Sequence, residues 1–134
     1  MHFAPYLYFY GRCEEALEFY KVVFGGSYEA MRIAGSPMAT QAPPDWQDKI
    51  MHATFTAPGI TFMAADGRPG KTVNPDEGNI ALSLADSDVA AGTRIFNALA
   101  EGGTVTMPLE KQFWGATFGQ VTDRFGTEWM LNLG

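Results

Sequence analysis

At 134 residues, with 46% apolar and 18% charged side chains, the chain has the size and composition of one globular domain able to bury a core unaided. A net charge of −6, with nine Lys and Arg scattered singly, lacks the clustered basic footprint that a nucleic-acid partner requires. One cysteine, Cys13, excludes an internal disulfide and fits a reducing, cytoplasmic compartment. The apolar runs are too short to span a bilayer, and no charged-then-apolar leader opens the sequence.

The first element is an aromatic run, Tyr6-Leu7-Tyr8-Phe9-Tyr10, which reads as a strand buried on both faces because it lacks alternation. A helix follows over 12–24, with Cys13, Leu17, Tyr20 and Phe24 on one stripe and Ala16 and Val23 widening it. Glu14, Glu15 and Glu18 suit the positive end of its dipole, and Gly25-Gly26 stops it. A strand over 27–33 leads into a long loop, 34–47, rich in proline and closed by Trp46, which either anchors a lid or packs on the nearest strand. Residues 49–56 alternate: Met51, Ala53 and Phe55 share one face, Ile50, His52, Thr54 and Thr56 the other. Pro58-Gly59 turns the chain into a strand over 60–65.

After a polar loop, 67–78, the pattern repeats. A strand is expected over 79–85, and a helix over 88–101 capped by Ser87 or Asp86. Val89, Gly92, Phe96 and Leu99 form that helix's inner stripe. Strands then follow over 104–107, 115–122 and 127–133, with a turn at 123–126. The repetition extends to the residues. Phe19-Tyr20-Lys21-Val22-Val23-Phe24-Gly25-Gly26 returns as Phe96-Asn97-Ala98-Leu99-Ala100-Glu101-Gly102-Gly103, 77 positions on. Gly59-Ile60-Thr61-Phe62-Met63 returns as Gly126-Thr127-Glu128-Trp129-Met130, 67 positions on. Two matches in one order imply two copies of a βαβββ unit, the first about ten residues longer between them.

The duplicated order, with Gly11-Arg12-Cys13-Glu14-Glu15-Ala16-Leu17-Glu18-Phe19-Tyr20, Ile50-Met51-His52-Ala53, Phe113-Trp114-Gly115 and the run from Gly119-Gln120-Val121-Thr122-Asp123 to Asn132, resembles the vicinal-oxygen-chelate superfamily of glyoxalases, bleomycin-resistance proteins and dioxygenases. The resemblance is closer to its PhnB-like branch, whose members often carry a demethylubiquinone methyltransferase label. It implies an α+β fold: one domain over 1–134, with modules at about 1–67 and 78–134 as curved mixed sheets around a cavity. It also implies a homodimer, with modules paired within a chain or across two. A methyl-donor site would need a glycine-rich strand-to-helix turn in an open α/β sheet, which this order does not provide.

The resemblance also locates four positions where glyoxalases hold a divalent ion: Pro5, Met63, Asn79 and Met130. Proline has no donor and thioethers suit such ions poorly, so neither that metal site nor any cofactor is expected. Met63 and Met130 either fill core or give an adaptable surface to a small organic ligand. His52 is a candidate base, with Asp66 ending the neighbouring strand, or a hydrogen-bonded structural histidine. Phe113 and Trp114 either rim a cavity or seal a dimer, and Asp123 organises a turn. Ala65-Asp66-Gly67-Arg68-Pro69-Gly70-Lys71-Thr72 satisfies a relaxed P-loop pattern, but Pro75 disfavours the helix that a P-loop must open. The expected function is binding of a small organic molecule in the cavity, through Met63, Asn79, His52, Phe113, Trp114 and Met130, with no nucleic-acid or membrane partner. The alternatives are a metal-assisted lyase or isomerase with His52 as base, and sequestration of a toxic compound.

Overall fold

The computed structural model describes all residues, 1–134. The chain divides into two compact units, Met1–Val73 and Asn74–Gly134, with the boundary inside the polar loop. Each is a βαβββ unit: β1 (Tyr6–Tyr8), α1 (Cys13–Phe24), β2 (Ser27–Arg32), β3 (Ile50–Ala57) and β4 (Ile60–Ala65), then β5 (Leu82–Asp86), α2 (Val89–Ala100), β6 (Thr104–Lys111), β7 (Thr117–Thr122) and β8 (Glu128–Leu133). The two sheets share one strand order, β1-β4-β3-β2 and β5-β8-β7-β6. In each, the first strand pairs parallel with the last and the other pairs are antiparallel. The fold is α+β, a duplicated unit with a helix on one face of each sheet.

In the first unit, Cys13, Ala16, Leu17 and Tyr20 of α1 are buried. The Tyr20 ring meets Phe62 edge-on at 5.6 Å, and Phe62 stacks on Phe55 at 4.9 Å. Alternation then puts Ala53, Phe55 and Ala57 toward the helix, leaving His52, Thr54 and Thr56 on the open face. Gly25 ends α1 in the left-handed region, its N–H donating to the Lys21 carbonyl. In the second unit Gly92, Phe96 and Leu99 of α2 face Val121, Trp129, Leu131 and Leu133, all buried.

Several expectations need correction. The first strand stops at Tyr8 and is not buried on both faces; it is an edge strand with Tyr6 37% and Tyr8 49% exposed. Its tyrosines occupy the open face because a phenol can show a ring to the sheet and a hydroxyl to water. Residues 44–46 of the long loop form a short 3-10 turn, and Trp46 is buried within 3.9 Å of where a Gly11 Cβ would stand. β5 begins at Leu82, so Asn79 is an exposed residue outside the strand. Neither Ser87 nor Asp86 caps α2: Asp88 does, accepting the Ala91 N–H, while Asp86 accepts from Asp88. Val89 lies exposed off the inner stripe. β6 runs on past Pro108 to Lys111, because an edge strand tolerates a residue without an N–H. β7 starts at Thr117, placing Phe113, Trp114 and Gly115 in the turn before it. The reading of the P-loop-like segment needs no correction: no helix follows it before α2.

Candidate functional site

The register assigns each side chain on the first sheet to a cross-strand row. Tyr6 pairs with Met63, Met63 with Thr54, and Thr54 with Glu29; His52 pairs with Met31. Paired residues point to the same side, so Tyr6, Met63, Thr54, His52 and Met31 share the face opposite α1. Across it the Tyr6 hydroxyl lies 3.0 Å from Nδ1 of His52, with the two rings 5.6 Å apart. Tyr8 continues the aromatic strip, 5.1 Å from Tyr6 and 6.0 Å from Tyr10, whose ring has the Lys71 ammonium 5.9 Å from its centroid.

Burial, then Tyr8 and Cys13, push the Tyr6 phenol above its ordinary range, so it keeps its proton at neutral pH. A hydroxyl both donates and accepts, so it serves either tautomer of His52. It can donate to a bare Nδ1 and leave Nε2–H facing outward, or accept from Nδ1–H and leave the Nε2 lone pair free.

The expected His52–Asp66 pair is not formed, because Asp66 is committed elsewhere. Its carboxylate is 1% exposed and accepts three backbone N–H groups: Gly11 at 2.9 Å, Cys13 at 2.8 Å and Ile50 at 2.7 Å. These bonds tie the first turn of α1 to the start of β3, satisfying donors that every helix start leaves open. Asp66 is a structural clamp. Tyr6 is the partner that sequence reasoning missed: the aromatic run shows no alternation to mark a shared face, and nothing in spacing announces a contact across 46 residues.

The second sheet's open face carries Met130, half-buried between Ser83 and Gln120. Met130 and Gln120 also line a small recess of about 80 Å³ with Thr106, Thr122 and Glu128. Neither Met63 nor Met130 is sealed in the core. Trp114 is 52% exposed, edge-on to Phe118 at 6.0 Å, with its indole N–H 3.4 Å from the Asn132 side-chain oxygen. Phe113 packs edge-on against Trp114 at 4.9 Å and is 96% exposed. Asn79 is brought to neither open face as a strand residue. Asp123 organises its turn, accepting from the N–H of Phe125 and Thr127, and also receives the Trp129 indole N–H at 2.9 Å.

A polar cleft of about 530 Å³ lies at the start of α1, lined by Arg12, Glu14, Glu15, Arg32, Asp48 and Lys49 among others. Arg12 pairs with Glu15, Arg32 with Glu14, and the Lys49 ammonium donates to the Gly11 carbonyl. Cys13 is buried, and desolvation, reinforced by Asp66 and Glu14, pushes its thiol far up; such a thiol is not a poised nucleophile. No three His, Cys, Asp or Glu side chains cluster to hold a metal ion, and no helix is long and apolar enough to cross a membrane.

Comparison with known proteins agrees with this architecture. Residues 1–132 match the family model described as 3-demethylubiquinone-9 3-methyltransferase. Protein YjdN of Escherichia coli is 31% identical over 142 residues, spanning 99% of this chain and 95% of that protein. A crystal structure of a Pseudomonas aeruginosa protein is 43% identical, covering 99% of this chain and 97% of that one, with a TM-score of 0.84. A Bacillus cereus protein, titled a putative 3-demethylubiquinone-9 3-methyltransferase and PhnB protein, is 26% identical over the whole of both chains, with a TM-score of 0.79. A Sphaerobacter thermophilus member of the glyoxalase, bleomycin-resistance and dioxygenase superfamily shares the fold, with a TM-score of 0.59. With two βαβββ units of one topology and a family match along nearly its whole length, the chain belongs to the PhnB-like family that carries the 3-demethylubiquinone-9 3-methyltransferase description, and it shares its fold with glyoxalase, bleomycin-resistance and dioxygenase proteins.

Proposed function

We propose that this chain binds a small organic molecule against the open face of its first sheet, with the hydrogen-bonded Tyr6–His52 pair as the polar anchor. The observation that carries the reading is that pair: a phenol and an imidazole joined at 3.0 Å on a face that also carries Met63, Met31, Tyr8 and Thr54, with Ala65, Thr56 and Glu29 beside them. Ligand sites combine an adaptable apolar surface with a few placed polar groups, and thioethers with tyrosine rings supply the former. On the second sheet Met130 and Gln120, with Trp114 nearby, offer a second surface of the same kind.

A thermal-shift screen of the full chain against a small-molecule library tests this. A compound at a hundredfold excess over its Kd stabilises by about 2.7 kcal/mol, an upward shift of the midpoint of about 10 °C. Hits are expected to lose most of that shift in Tyr6→Phe and His52→Ala. A library without a single hit, or hits indifferent to both variants, would sink the proposal.

The reading includes a homodimer. Phe113 stands almost wholly in water beside the half-exposed Trp114, an aromatic tip that a second copy would cover. Sedimentation equilibrium should give twice the 14.6 kDa chain mass, and Phe113→Ser should lower it toward one chain. A wild-type chain that stays monomeric at high concentration removes this part.

A further inference from the structure

We infer that the open face of the first sheet also holds a soft monovalent cation, Cu(I) or Ag(I), on His52, Met31 and Met63. Met31 is the direct cross-strand partner of His52. Met63, on the next strand, pairs with Thr54, two residues along β3 from His52. Direct partners hold their Cβ atoms about 5 Å apart and diagonal neighbours about 7–8 Å, within reach of a common point above the imidazole for two thioether arms with three rotatable bonds each.

The donor set selects the ion. Thioether sulfur and imidazole suit Cu(I) and its congener Ag(I), whereas Mg, Ca and Mn want carboxylate and carbonyl oxygens. The acidic residue in these rows, Glu29, sits at the outer end beyond Thr54. The surround fits as well. A ligating histidine is ordinarily oriented through its other ring nitrogen, and the Tyr6 hydroxyl occupies Nδ1 at 3.0 Å, leaving Nε2 for the metal. The Tyr6 and Tyr8 rings add an electron-rich flank beside it.

The duplication supplies an internal control. On the second sheet Met130 and Met107 both pair with Gln120, placing two thioethers beside an amide. An amide lacks the aromatic nitrogen of imidazole, so one ion per chain is expected, in the first unit alone. This inference does not rest on the organic ligand. Failure of the compound screen leaves it standing, and failure of ion binding leaves the screen's hits standing.

The test titrates Ag(I), which needs no reductant, against a competing chelator. It uses the full chain in both the wild-type and Cys13→Ala backgrounds, the second removing the thiol. One tight equivalent is expected in each. Met31→Leu and Met63→Leu should each weaken it by about tenfold, Tyr6→Phe by a similar factor, and His52→Gln by about a hundredfold. Met107→Leu and Met130→Leu should leave it unchanged. Should a variant fail to fold, methionine methyl spectra of the wild type give the answer: Ag(I) must move the Met31 and Met63 signals and spare those of Met107 and Met130. Unchanged affinity in the Met31→Leu, Met63→Leu double variant, or methyl shifts confined to Met107 and Met130, overturns the assignment.

Discussion

Asp66→Ala is expected to lower the unfolding free energy by about 4 kcal/mol, because it leaves three buried backbone donors with no acceptor. Bonds to an ionised acceptor are worth about 1.5–3 kcal/mol each, and partial entry of water keeps the total below their full sum. Asp66→Asn retains one carbonyl oxygen but turns an amide group toward a donor, so about half the loss is expected. Urea unfolding followed by far-UV circular dichroism reads both. A loss under about 1 kcal/mol in the alanine variant would contradict the clamp. The variant also separates clamp from catalytic partner: a carboxylate acting through His52 would alter ligand response and leave the urea midpoint alone.

The second large effect is expected at the repeated glycine pairs. Gly26 closes the first copy of the duplicated segment and Gly103 the second, and they meet the same obstacle. A Cβ on Gly26 would overlap the Thr56 carbonyl oxygen, and one on Gly103 the Thr122 carbonyl oxygen, both backbone atoms of a neighbouring strand. Neither obstacle can swing aside as a side-chain tip would. Gly26→Ala and Gly103→Ala should each cost about 3 kcal/mol, an overpacking penalty that lowers the melting midpoint by about 10 °C. Gly70→Ala is the control. It sits at φ +83° in open space, so it carries backbone strain without collision, about 1 kcal/mol. Equal losses at Gly70 and Gly103 would remove the steric account.

That coincidence explains why the duplication was readable. The glycine pair follows each helix because the chain must leave it and pass tightly against the next strand, so the packing constraint wrote itself into the sequence twice. The alternation of β3 was legible for a similar reason, since one face is covered by α1 and the other is not. What escaped was long-range pairing. The Tyr6–His52 contact depends on β1 and β3 flanking β4 in register, and the Asp66 clamp on backbone groups that carry no side-chain signature. Pro108 hid the second half of β6, because the rule against proline in sheets relaxes at an edge. Asn79 was drawn into β5 by the apolar Ile80 and Ala81 beside it, whereas pairing with β8 begins only at Leu82.

The two buried aspartates also differ in reach. Asp123 fastens residues two, four and six positions ahead, whereas Asp66 reaches back 16, 53 and 55 positions. During synthesis the opening turn of α1 therefore lacks its acceptor until Asp66, 53 residues beyond Cys13, has left the ribosome, while the corner after β7 can snap shut as soon as it emerges. The first unit must close a long loop through Asp66 and the second only a short one through Asp123, so translation order and ease of closure run in opposite directions.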